Sequence, residues 1–179
     1  MAIASINKAT QYLSFMLEDE VFAVDIAKVR EVLEFSTVTK IPQMPRYMRG
    51  VINLRGGVVP VVDLRLKFGM SATEKTINTC VIITEVYLND QTMVLGALAD
   101  SVQEVFDLHH EDIEPSPKIG TQLHTDFLMG MGKKNDEFIL ILDIDRVFSS
   151  EEIDEVRDTT DRAYRDHGVE VIMTEEMTD

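Results

Sequence analysis

Two short apolar arms flank a glycine-rich turn within residues 50–68, and this pattern predicts a β-hairpin. Residues 51–54 form the first arm and residues 58–62 the second, and both are rich in β-branched side chains. The turn between them is Arg55-Gly56-Gly57. Glycine adopts positive φ at no steric cost, which suits a tight turn. Asp63 is then predicted to cap a helical turn over 64–68 that ends at Gly69.

The remaining apolar runs predict further short strands on both sides of this hairpin. They cover residues 12–17, 21–26, 29–33, 79–88, 93–99 and 102–108. A second hairpin is predicted over 130–142, around the polar turn formed by residues 133–136. The segments 40–45 and 109–125 each contain two prolines, which cannot donate to a sheet, so both are predicted to be irregular.

Landmark residues of the first half recur in the second half at a nearly constant spacing. Before the proline segments the spacing is 73 positions, and after them it is 80 positions. The recurring pairs include Val29 and Val102, Glu31 and Glu104, Gly50 and Gly130, Asp63 and Asp143, and Phe68 and Phe148. The order of the predicted elements is also the same in both halves. We therefore infer an internal duplication.

The duplication predicts an all-β fold with minor helix. Each copy has about five short strands, and so few residues bury too little apolar surface to be very stable alone. Closing each copy into a small barrel removes exposed strand edges, and packing the barrels together adds a shared core. We expect one domain over residues 11–149, with a first barrel over roughly 11–69 and a second over roughly 79–149.

The pattern changes after residue 149 and predicts a C-terminal helix. Ser149 and Glu152 have the spacing of a capping box. Apolar residues then follow a narrow helical stripe that should end near residue 166, with Gly168 beyond it. A narrow stripe favours a helix that lies on a barrel rather than entering a core. The acidic segment 150–179 is otherwise either a solvated appendix or a contact for a further partner.

The charge balance restricts the possible partners. The 179 residues contain 17 Lys and Arg against 32 Asp and Glu, a formal net charge of −15. Nonspecific binding of nucleic acid needs basic side chains that displace counterions, and docking on anionic lipid needs them too. An oligonucleotide-binding barrel and direct membrane binding are therefore both disfavoured. Because no run approaches about 20 apolar residues and no signal peptide is visible, we expect a cytoplasmic protein.

Few residues of the chain could carry catalysis. Cys80 is the only cysteine, which excludes an intramolecular disulfide and an all-cysteine zinc site. His109 and His110 are adjacent and precede Asp112, but neighbouring side chains on an extended segment point apart. A solvated loop is the main interpretation of this segment, and a metal-dependent hydrolase using these three residues is the alternative. Common nucleotide-binding and hydrolase motifs are absent, and we expect no cofactor.

Arg55 is the side chain in the first hairpin that stands out. It lies among valines and leucines, whereas the second hairpin turn is made of ordinary polar residues. A guanidinium in this position could bind a carboxylate of a partner protein or Glu31 of the same copy. A simple solvated turn arginine is the remaining interpretation.

The hairpin sequence resembles the signature of the CheW-like coupling proteins of bacterial chemotaxis. The matching segments are residues 50–56, GVINLRG, and residues 59–65, VPVVDLR, and the resemblance extends over roughly residues 11–150. It implies two five-stranded SH3-like barrels with a shared core. It also implies a stand-alone adaptor rather than an enzyme. Such adaptors join the cytoplasmic tips of chemoreceptors to the histidine kinase CheA, whose regulatory domain has the same fold.

The resemblance also assigns roles to particular positions. It implies that four residues couple the protein to receptor or kinase: Val29, Glu31, Gly50 and Arg55. It implies that three residues belong to a strand at the kinase interface: Thr79, Cys80 and Val81. The protein would be recruited from the cytoplasm to membrane-bound receptor clusters by these contacts.

Overall fold

The computed structural model describes residues 9–115 and 127–178, with side chains as far as residue 165. The described part of the chain contains ten strands. They are β1 (Thr10–Leu17), β2 (Glu20–Asp25), β3 (Val29–Glu34), β4 (Met48–Leu54), β5 (Gly57–Asp63), β6 (Cys80–Leu88), β7 (Gln91–Ala99), β8 (Ser101–Leu108), β9 (Leu128–Lys134) and β10 (Glu137–Leu142). The helices are α1 (Leu64–Lys67) and α2 (Ser150–Thr178). All the predicted strands are present, with ends shifted by a few residues.

The strands form two five-stranded sheets. Sheet 1 has the order β8-β1-β2-β10-β9, and sheet 2 has the order β3-β6-β7-β5-β4. In sheet 2 the two edges meet where Thr39, beyond β3, pairs with Val51 of β4. In sheet 1 Glu114, beyond β8, pairs with Met131 of β9 in the same way. Each sheet thus curls into a small barrel, which confirms the predicted fold class and leaves few free strand edges.

The composition of the barrels differs from the prediction, because the two copies exchange strands. Sheet 1 combines β1 and β2 with β8–β10, and sheet 2 combines β3–β5 with β6 and β7. The prediction of one barrel over 11–69 and another over 79–149 is therefore wrong. The duplication itself accounts for this arrangement. The two sheets have the same strand order once each strand is replaced by its equivalent in the other copy, so either copy's strands fit either sheet.

The two barrels share one hydrophobic core. Its largest cluster draws Phe15 and Phe22 from sheet 1 and Val62 and Ile82 from sheet 2. Aromatic rings stack through the junction: the centroids of Phe22 and Phe68 are 5.7 Å apart, and those of Phe68 and Phe127 are 4.4 Å apart. Offset stacking adds to the gain from burial. The expected shared core is confirmed.

Ion pairs hold the two places where the chain crosses from one sheet to the other. Arg65, just after β5, binds Asp100 between β7 and β8 at 2.9 Å and Glu18 at 3.0 Å. At the equivalent place in the other copy, after β10, the Asp145 carboxylate binds Lys28 between β2 and β3 at 2.7 Å. The two copies therefore place an ion pair at equivalent positions with the charges exchanged: the basic residue follows β5 in one copy, and the acidic residue follows β10 in the other. Each contact links one barrel to the other.

Helix α2 is more deeply packed than its narrow apolar stripe predicted. The capping box is confirmed: the Ser149 N–H donates to Glu152 Oε1 at 2.8 Å, and the Glu152 N–H donates to Ser149 Oγ at 3.1 Å. Val156 and Ala163 are buried in a cluster with residues of β4. The first part of the segment is thus neither a solvated appendix nor a helix that merely lies on a barrel.

The far end of α2 also differs from the prediction. The helix continues to Thr178 rather than ending near residue 166, because Gly168 is tolerated inside it and no proline follows.

At the start of α2, Glu152 receives a hydrogen bond from Lys67 Nζ at 2.6 Å. Burial alone would raise the pKa of the Glu152 carboxyl, but its bonds with Lys67 and Ser149 hold the pKa below its ordinary value. The acid therefore stays ionised where α2 meets the barrels.

Candidate interaction surface

The first four predicted coupling residues lie on or beside the two edge strands of sheet 2. Val29 and Glu31 are on β3, Gly50 is on β4, and Arg55 is in the turn after β4. Because sheet 2 curls until its edges meet, the structure brings Glu31 and Arg55 together. Glu31 Oε2 is 2.8 Å from Arg55 Nη1, so Glu31 is the intramolecular partner that the sequence offered as one possibility.

The turn that carries Arg55 is tight and unusual. Leu54 pairs with Gly57, so Arg55 and Gly56 alone form the loop, with φ of 52° and 81°. Two positive φ angles are typical of a type I′ turn, which matches the twist of a hairpin but seldom contains arginine. Asn53 Oδ1 accepts a hydrogen bond from the Gly56 N–H at 3.1 Å. The expectation that Gly56 and Gly57 supply the positive φ is therefore wrong at Gly57, which begins β5.

The side chain of Arg55 extends into solvent. It is 73% exposed, whereas that of Glu31 is 25% exposed. An ion pair between an exposed and a half-buried group contributes little to stability, because water screens the exposed charge. Arg55 is therefore available to a partner, while Glu31 holds its guanidinium beside the edge strand β3.

Gly50 and Val29 differ from Arg55 in their accessibility. Gly50 is buried with φ of 141°, and a Cβ there would lie 2.2 Å from the carbonyl oxygen of Thr39. No side chain fits at that point, since Thr39 closes the barrel against it. Val29 is half-buried and packs against the shared core. Both residues support the surface around Arg55 rather than extend from it.

The predicted interface strand Thr79-Cys80-Val81 presents one reachable side chain. Thr79 is 3% exposed and Val81 is 2% exposed. The Thr79 hydroxyl accepts from the Thr76 N–H at 2.8 Å, so it is used within the fold. Cys80 is half-buried and faces outward, opposite Glu34 of β3. A partner that meets this strand would touch Cys80, with Thr79 and Val81 fixing its position.

The sequence analysis missed an ion pair in sheet 1 that corresponds to the Glu31–Arg55 pair of sheet 2. Lys134 binds Glu104, which is the equivalent of Glu31 in the other copy, and Lys134 Nζ lies 4.8 Å from the centre of the Phe106 ring. The 73-position spacing identified Glu104. Lys134 was not identified, because the 80-position spacing makes Asn135, rather than Lys134, the equivalent of Arg55 in the second copy. In each barrel, therefore, a glutamate on one edge strand pairs with a basic side chain on the other edge strand or in the turn after it.

The histidine segment shows no arrangement that could hold a metal. His109 precedes a single 3-10 turn, His110–Asp112, and makes no side-chain cap there. Across residues 9–115 and 127–165, no three His, Cys, Asp or Glu side chains converge as metal ligands. The geometry thus gives the hydrolase alternative no support. The neighbouring acids Asp143 and Asp145 both have structural partners: Asp143 accepts from the Asp145 N–H as a cap, and the Asp145 carboxylate binds Lys28.

No helix in the described part of the chain has the length and apolar character that crossing a membrane requires. The long helix α2 carries acidic residues from its first turn onward.

Comparison with known proteins agrees with this architecture. The model of the CheW-like domain matches residues 11–152. A chemotaxis protein CheW from Klebsiella aerogenes is 37% identical over 143 residues, which cover 80% of this chain and 84% of that protein. A chemotaxis protein CheW from Rhizobium meliloti is 34% identical, with 82% of this chain and 92% of that protein covered.

A solved structure shows the same fold. The scaffolding protein TtCheW from Thermoanaerobacter tengcongensis superposes with a TM-score of 0.71 at 33% identity, over 81% of this chain and 91% of that protein. Both barrels and the start of α2 lie within the range that the family model matches. The matched range, the identity with the two relatives and the shared fold together place the chain in the CheW-like domain family of chemotaxis scaffold proteins.

Proposed function

We propose that this chain couples the cytoplasmic tips of chemoreceptors to the regulatory domain of the histidine kinase CheA and has no catalytic activity of its own. The observation that supports this most strongly is Arg55, an exposed cation on a rigid turn of a sheet whose edges are closed. The Thr39–Val51 bridge leaves little free edge at which a partner could add a strand, which favours recognition through side chains. Family membership supplies the class of partner.

The Arg55 surface suits a partner that presents a carboxylate. Arginine binds carboxylates through two parallel hydrogen bonds, and its rigid fork loses less entropy per bond than a lysine does. Glu31 remains close enough to orient the guanidinium while the partner acid approaches. Gly50 and Val29 act on this site indirectly, through barrel closure and packing.

The strand at Cys80 belongs to the same barrel, where Cys80 lies opposite Glu34, three positions along β3 from Glu31. β6 is paired on both sides, by β3 and by β7, which makes it a stiff support for a contact surface. In this proposal Thr79 and Val81 hold the strand and Cys80 meets the kinase. The protein would work in the cytoplasm and gather at membrane-bound receptor clusters through its protein partners alone.

Charge reversal at Arg55 tests the proposal. Arg55→Glu is expected to weaken receptor-dependent stimulation of the kinase by about tenfold or more, since exposed arginines often dominate interface energies. The free energy of unfolding should change by less than about 0.5 kcal/mol because the side chain is exposed. The measurements are kinase autophosphorylation with receptor-containing membranes and urea unfolding.

A matched control separates the position from the charge. Arg146 is 72% exposed and also pairs with a carboxylate, Asp143, at 3.5 Å. Arg146→Glu should leave kinase stimulation within about twofold of the unmodified protein, as expected for a residue outside an interface. A folded Arg55→Glu protein that stimulates the kinase fully would contradict the proposed role of Arg55.

A further inference from the structure

A tight turn immediately before β6 holds an isoleucine almost completely in solvent. The turn is Thr76-Ile77-Asn78-Thr79, closed by a hydrogen bond from the Thr79 N–H to the Thr76 carbonyl at 3.2 Å. Ile77 is 96% exposed. Turn tips usually carry polar residues or proline and glycine, so a large apolar side chain here needs an explanation.

The backbone around Ile77 is held in place by side chains. The Asn78 N–H donates to Thr76 Oγ1 at 3.1 Å, and the Thr79 hydroxyl donates to the Glu74 carbonyl at 3.1 Å. The Thr79 carbonyl in turn accepts from the Phe35 N–H at 3.1 Å, which fixes the turn to the end of β3. An anchor presented in one conformation loses little entropy when it binds.

The surroundings of Ile77 resemble the anatomy of a protein interface. Cys80 is half-buried and follows the turn directly, and Val32, which is 39% exposed, lies two positions along β3 from Glu34, the partner of Cys80. Charged and polar residues border them, namely Glu34, Lys75 and Asn78, all exposed. An apolar centre with a polar rim is the usual arrangement of a recognition surface.

Exposed apolar side chains are common singly and often mean nothing. Ile77 differs in degree. The other large apolar side chains that are exposed in the described part of the chain range from 39% to 58%. Each of those still packs part of its surface against the fold. Ile77 buries almost none, so it contributes almost nothing to stability, while its turn leads into the strand that we propose for the kinase contact.

We propose that Ile77 is an apolar anchor of this chain, inserted into a hydrophobic pocket on the β-barrel regulatory domain of the kinase. This inference rests on the proposed function and adds a residue to its kinase contact. A convex apolar tip on a stiff turn fits a concave apolar pocket, and such buried anchors dominate binding energies. The polar rim around it would meet the border of the pocket.

The test measures binding of the purified kinase regulatory domain by calorimetry. Ile77→Asp is expected to weaken the affinity by about thirtyfold or more, and Ile77→Val by no more than about threefold, since valine keeps most of the apolar surface. Tyr164→Ala, which removes a 53% exposed side chain on α2, is the control and should bind like the unmodified protein. The Ile77 variants should keep their melting temperature, because that side chain buries almost none of its surface. Tyr164→Ala should lose some stability but stay folded at the temperature of the binding measurement, because Tyr164 is about half-buried.

The outcomes separate the two claims. If the unmodified chain does not bind the regulatory domain, the proposed kinase coupling is wrong, and the anchor fails with it. If it binds and Ile77→Asp binds within about threefold of it, only the anchor is wrong. Equal losses for Tyr164→Ala would also overturn the anchor. Sedimentation of the same proteins measures self-association. If Ile77→Asp weakens self-association but not binding of the regulatory domain, Ile77 belongs to a contact between copies of this chain, and the kinase pocket is rejected.

Discussion

Asp63→Ala is expected to lower the free energy of unfolding by about 3–5 kcal/mol, the range for removing one partner from a buried ionic network. Asp63 is fully buried. Its carboxylate accepts from Arg49 Nη1 at 3.1 Å, from the Thr73 N–H at 2.9 Å and from the Thr73 hydroxyl at 2.8 Å. It also caps α1 through the N–H groups of Arg65 and Leu66. Alanine would leave the Thr73 N–H and hydroxyl without this partner in the interior, while Arg49 would keep only its bond to the Thr73 carbonyl.

The duplication provides a matched control for this substitution. Asp143 is the equivalent residue, but its side chain is 29% exposed, with Arg146 at 3.5 Å. It caps a 3-10 turn through the Asp145 N–H alone. Asp143→Ala should therefore cost about 1 kcal/mol, the usual value for a lost cap. Urea unfolding of both variants measures the difference, and equal losses at the two positions would contradict the account of the buried network.

Gly50→Ala is expected to destabilise the protein by about 2–4 kcal/mol, through backbone strain and overpacking together. The φ of 141° disfavours any side chain, and the new Cβ would lie 2.2 Å from a backbone oxygen that cannot move without opening the barrel. Gly130→Ala should behave alike, because φ is 154° and the Cβ would lie 2.4 Å from the Glu114 carbonyl oxygen. Thermal unfolding followed by circular dichroism measures both.

A third glycine separates strain from steric conflict. Gly56 has φ of 81°, but nothing lies within 4 Å of its Cβ position. Gly56→Ala should therefore cost only about 1 kcal/mol, as expected for a left-handed residue without a clash. If Gly50→Ala were no worse than Gly56→Ala, barrel closure at Thr39 would not be the reason for glycine at position 50.

Local structure followed from the sequence because its causes are local. The β-branched arms, the capping Asp63 and the capping box at Ser149 are all confirmed. Strand exchange could not be predicted in this way. Apolar periodicity says that a strand needs a neighbour but not which copy supplies it, and two equivalent copies offer the same edges. β2 pairs in parallel with β10, and β5 with β7, where the prediction kept each copy separate.

The candidate site was predictable in part for a similar reason. An arginine in a hairpin turn is exposed by the geometry of the turn, so Arg55 could be singled out from its neighbours alone. The burial of Gly50 and Thr79 depends on how the chain folds back on itself, through Thr39 for the first and through the loop after α1 for the second, and strand periodicity does not report such contacts. The exposure of Ile77 ran against its apolar character and gave no signal in the sequence.

The central claim is that this chain links receptors to the kinase without chemistry of its own, and reconstitution tests it most directly. Autophosphorylation of CheA would be measured with receptor-containing membranes, with this chain added in increasing amounts. The account predicts stimulation by receptors only when the chain is present, together with stable capture of the kinase on the membranes. Equal kinase activity and equal capture with and without the chain would contradict it.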